Sequence, residues 1–187
     1  MSLYFTTPIV SAIICFSLAA MVLMKAHRTA NNLAGFLFLL FLGLYALCAF
    51  NVRISLNLEQ ALYWHKGLLV STAAMAFSFW SFICLQTHTW PKQKFTSVFA
   101  FFLFLVVVLS PTDLLVIGIG TDPFGRIPIV GPLFPIHSLA TYLPILFALI
   151  ILIRSRRAST VYEEKNLLLF IFIGMILAFL FILCDIL

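Results

Sequence analysis

The sequence predicts an all-α fold, a polytopic transmembrane helix bundle with six spans, and three observations lead to it. Hydrophobic residues make up 64% of the chain and charged residues 9%, against roughly half and a quarter in soluble domains. The apolar residues fall in long runs rather than in short alternating ones. Basic residues gather in every second connection between those runs. Lipid is therefore the solvent expected for most side chains.

A bilayer core about 30 Å thick asks for roughly 20 apolar residues per helix, because each backbone polar group must be satisfied within its own segment. Six stretches meet this requirement: Thr7–Met24, Leu33–Phe50, Gly67–Leu85, Phe95–Ser110, Leu133–Ile153 and Leu167–Leu187. The first is read as an uncleaved helix. A signal peptide carries its positive charge before the apolar run, and here Met1 to Pro8 hold none while Lys25 and Arg28 follow. The fourth span is the shortest. The sixth reads straight into Cys184-Asp185-Ile186-Leu187 without a polar tail, so the chain is expected to stop short of a seventh helix, six spans of seven.

Charge sets the expected orientation. Lys25, Arg28, Lys92, Lys94, Arg154, Arg156, Arg157 and Lys165 fall in the first, third and fifth connections, whereas the others hold Arg53, Lys66 and Arg126. Excess Lys and Arg marks cytoplasmic loops. The N-terminus is thus expected outside, with cytoplasmic loops near 25–32, 87–94 and 154–166. The net charge of +5 then calls for no nucleic-acid partner; the bilayer itself is the partner.

The connection Pro111 to Pro135 carries Gly118, Gly120, Gly125, Gly131 and five prolines, and cannot be one regular helix. It faces outside in this topology and either joins two helices or covers the mouth of the bundle. Its glycines lack the Lys and Ser/Thr of a phosphate loop. In the third span Ser71, Ala74, Ser78 and Ser81 form a small-residue stripe for close helix approach. Trp64, Trp90, Tyr63 and Tyr4 are placed as interfacial anchors.

Polar groups at membrane depth are costly unless partnered, so they mark candidate sites. His137, Thr141 and Tyr142 cluster at the outer end of the fifth span, with Ser138 beside them and Pro144 expected to kink the helix. With Asp113 and Arg126 from the external loop, they are the candidate ligand-binding residues of a shallow outer pocket. Catalytic residues are not expected: no carboxylate pair, nucleophile with base, or metal cluster is legible, and His27, His65 and His88 lie in loops or at their edges. Cys15, Cys48, Cys84 and Cys184 read as small hydrophobes without metal-ligand spacing. No cofactor is implied.

The layout resembles a known family, the N-terminal seven-helix membrane region of bacterial histidine kinases, found also with diguanylate cyclases. The resemblance rests on the basic loop Lys25 to Arg28, the entry Tyr63-Trp64-His65-Lys66-Gly67, the external Gly131-Pro-Leu-Phe-Pro-Ile-His137 segment, the basic loop Arg154 to Lys165, and the outside N-terminus. It implies a single sensor-like domain over 1–187. That domain would relay an unidentified small-molecule or membrane stimulus to a cytoplasmic output domain, expected to lie beyond residues 1–187, and would work as a homodimer. A small transporter or an accessory subunit of a membrane complex is the competing class.

Overall fold

The structure, a computed structural model, describes residues 3–25, 29–89, 93–122, 125–163 and 165–174. Helices α1 (Leu3–Lys25), α2 (Ala30–Ile54), α3 (Leu58–Gln86) and α4 (Gln93–Leu109) are followed by strands β1 (Val116–Asp122) and β2 (Gly125–Val130), then by α5 (Phe134–Ala158). A sixth helix, α6, is described over Lys165–Gly174. The last part of the expected sixth span, residues 175–187 with Cys184 and Asp185, lies outside the described residues, as do His27 and Trp90.

The described chain is helical, as expected, apart from one connection. Six spans were expected, and four described helices are long and apolar enough to cross a bilayer: those at Thr6–Met24, Ala30–Ile54, Leu58–Gln86 and Phe134–Ala158. Helix α4 has 17 residues, which at the α-helical rise gives about 25 Å, short of the ~30 Å hydrocarbon core. Between α4 and α5 the chain departs from helix. There the Gly- and Pro-rich segment pairs as an antiparallel hairpin, with Thr121 opposite Arg126 and Gly120 opposite Ile127. Exposed Ile117, Ile127 and Ile129 give it an apolar outer face, and β-branched residues favour strand backbone over another helical turn.

Helix ends follow from local chemistry. Thr29 caps α2 by accepting from Asn32 N. Asn57 caps α3 by accepting from Gln60 N at 2.8 Å, while Gln60 Oε1 reaches back to Leu56 N, a reciprocal arrangement close to a capping box. α3 therefore starts at Leu58 rather than at Gly67. At its other end Thr89 N bonds Cys84 O and His88 N bonds Leu85 O, with His88 at φ 50°. This is a Schellman ending with His in the left-handed position usually held by Gly. Pro135 begins α5, where a missing N–H costs nothing; the helix continues through the buried Pro144.

α3 is the centre of the bundle and packs against α2, α4, α5 and β1. Its small residues allow this. Ser71, Ala73, Ala74, Ala76 and Ser78 are buried, and the Ser71, Thr72 and Ser81 hydroxyls donate to carbonyls one turn back, satisfying themselves without a partner helix. Toward the α5–α6 connection the core is Phe79, Trp80, Ile83, Phe99, Leu152 and Leu168, with the Trp80 and Phe99 rings edge-on at 4.9 Å. Toward the hairpin it is Leu69, Ala73, Val106, Leu115, Val116 and Ala140. Cys15, Cys48 and Cys84 are buried and free. Large apolar side chains such as Ile13, Phe101, Phe104 and Leu146 point outward, where only lipid could cover them.

Candidate functional site

The candidate site lies at the hairpin end of the bundle. The first turns of α5 carry His137 into the core beside α3, where it is 8% exposed. Its Nε2 lies 3.4 Å from the Thr141 hydroxyl, one turn on and also buried. The imidazole stacks at a tilt on Phe134, centroids 5.5 Å apart. The ring also lies against the Leu69 backbone, and its Nδ1 is left without a hydrogen bond of normal geometry. His65 of α3, half-buried, lies one turn before Leu69. Leu115 and Val116, both fully buried, close the hairpin over this end of the core.

The other candidates do not join this cluster. Tyr142 is 59% exposed and points away from it. Asp113, 73% exposed, pairs with Lys66, whose Nζ lies 3.1 Å from Asp113 Oδ1 and 3.0 Å from the Pro111 carbonyl. Arg126 donates from Nη1 to Val52 O at 2.8 Å and from Nη2 to Ser55 O. These are the carbonyls that the end of α2 leaves open, and a cation suits that end of a helix dipole. Lys66 and Arg126 thus fasten the segment between α4 and α5 to α3 and α2. Asp113 and Arg126 serve this fastening, while His137 and Thr141 form the enclosed polar pair.

His65 is the member that sequence reasoning missed. The apolar run begins at Gly67, which puts His65 at a loop edge in the sequence. The signal lay in Asn57-Leu-Glu-Gln60, an N-cap with an acceptor three residues on, which carries α3 back over Tyr63, Trp64 and His65. Tyr63 remains mostly exposed, edge-on to Trp64 at 5.6 Å, as an interfacial aromatic pair would be.

Chemically, the arrangement is an imidazole and a hydroxyl in apolar surroundings. Such a site can hold a small polar ligand or a proton. No described carboxylate is placed beside His137, and among the described residues no group of three His, Cys, Asp or Glu side chains is arranged to hold a metal ion.

At the opposite end, Asn31 Nδ2 donates to Gln86 Oε1 at 2.7 Å, joining the start of α2 to the end of α3. A family model described as the N-terminal 7TM region of histidine kinase matches residues 7–187. The searches of curated proteins and of solved structures returned no match.

Proposed function

The chain belongs to the family of N-terminal 7TM regions of histidine kinases, and from that premise we propose that it is the signal-input module of such a kinase. The matched region is a multi-pass membrane part and not the catalytic part of these proteins. In this reading α4 and α6 also cross the bilayer, as a pair of shorter spans, and the N-terminus and the hairpin face outside. The charge distribution along the sequence supports that orientation, with eight basic residues in the first, third and fifth connections and three in the others.

The observation that carries the proposal is the buried His137–Thr141 pair at the hairpin end of the bundle. A buried polar group without full partners is expensive in a membrane bundle, and function is the usual reason for one. A stimulus acts only by stabilising one arrangement of the helices over another. A small polar ligand or a proton at His137 would do so by changing how α5 sits on α3. α5 would pass that change across the membrane to the output domain, within a homodimer.

The test is autophosphorylation of the full-length gene product in vesicles, measured against solutes and pH imposed on the hairpin side. The expected result is a graded response whose midpoint moves in His137→Ala and in Thr141→Val. An unchanged response in both variants would discard the site. Solute flux through the same vesicles, without any effect on phosphorylation, would favour a transporter instead.

A further inference from the structure

We infer that the α5–α6 connection forms a binding site for one anionic phospholipid headgroup. A cleft of about 370 Å³ opens there, lined by Leu152, Ile153, Arg156, Arg157, Lys165 and Leu168, with Phe172 behind. The cations stand on two banks: Arg156 and Arg157 in the last turn of α5, Lys165 at the start of the described part of α6. The turn between them is held closed by Ser159 N to Ser155 O and by Lys165 N to Val161 O. All three cations are exposed.

The occupant follows from chemistry and depth. Three cations converging on one cavity select a phosphate, which guanidinium groups bind by paired hydrogen bonds. The floor and inner wall are apolar, with Leu152 and Leu168 buried, and continue into the faces of the two helices. A phosphate carrying acyl chains matches both halves of that surface, and a free anion matches only the rim. The end of a membrane-crossing helix lies at headgroup level. A general excess of positive charge in this loop would place cations on it in any direction. Arg154, exposed on the same helix but outside the cleft lining, supplies the internal comparison.

The experiment is native mass spectrometry of the full chain released from nanodiscs containing phosphatidylglycerol and phosphatidylcholine. One retained phosphatidylglycerol per chain is expected. Retention should fall about fivefold for each charge removed in Arg156→Gln and Lys165→Gln, should fall less in Arg156→Lys, which keeps the charge and loses the fork, and should hold in Arg154→Gln. Equal retention of phosphatidylcholine, an equal loss in Arg154→Gln, or displacement of the lipid by inorganic phosphate would each overturn the assignment.

Discussion

Gly43 of α2 lies directly against Phe16 of α1: a Cβ at Gly43 would come within 2.7 Å of the Phe16 ring. The two helices approach this closely because one of them offers no side chain there, as small residues do in membrane helix pairs.

Gly43→Ala should therefore destabilise the chain by about 1–3 kcal/mol, the usual range for overpacking. Phe16→Leu in the same chain should recover part of the loss. The check is a double-mutant cycle on thermal unfolding in detergent, where a coupling near zero would mean that α1 and α2 do not meet at this point.

Arg126→Gln should cost about 1.5–3 kcal/mol, the range for hydrogen bonds made by a charged group, because the Val52 and Ser55 carbonyls lose their donor. Arg126→Lys should restore little of it, since one ammonium cannot reproduce a fork to two carbonyls. Amide exchange at the last turn of α2, faster in both variants, is the specific readout.

Gly131→Ala should be the most damaging single methyl. Its Cβ would meet the Leu114 backbone and come 2.7 Å from the Asp113 carbonyl oxygen, and main chain cannot swing aside as a side-chain tip can. Gly174→Ala, with nothing within 4 Å, should be silent. Equal accumulation of the two variants in membranes would contradict the described entry into α5.

His88→Gly should stabilise the chain by about 1 kcal/mol. The left-handed backbone at His88, φ 50°, strains a residue with a Cβ and leaves glycine at ease. Thermal unfolding in detergent measures it, and a loss of stability would show that the imidazole itself contributes.

How much of this was legible in the sequence differs from element to element. α1, α2 and α5 could be read from apolar run length alone, because burying uncharged residues in lipid leaves a long unbroken signal. The start of α3 was not read, since Trp64, His65 and Lys66 interrupt that signal and the Asn57 cap is a local hydrogen bond rather than a hydrophobic pattern. The hairpin escaped because glycine and proline announce a break in a helix without announcing what replaces it. At the site, His137 and Thr141 could be paired by their one-turn spacing. The partners of Asp113 and Arg126 could not be, as Lys66 is 47 residues from Asp113 and Val52 is 74 residues from Arg126.

That last separation has a meaning in time. At a synthesis rate of about 5–20 residues per second, Arg126 is made some 4–15 seconds after Val52. α2 thus enters the bilayer with its final carbonyls still bonded to water. The hairpin exchanges that water for a guanidinium only after α4 has been made, so the end of the bundle that holds His137 stays open long after α2 and α3 have met.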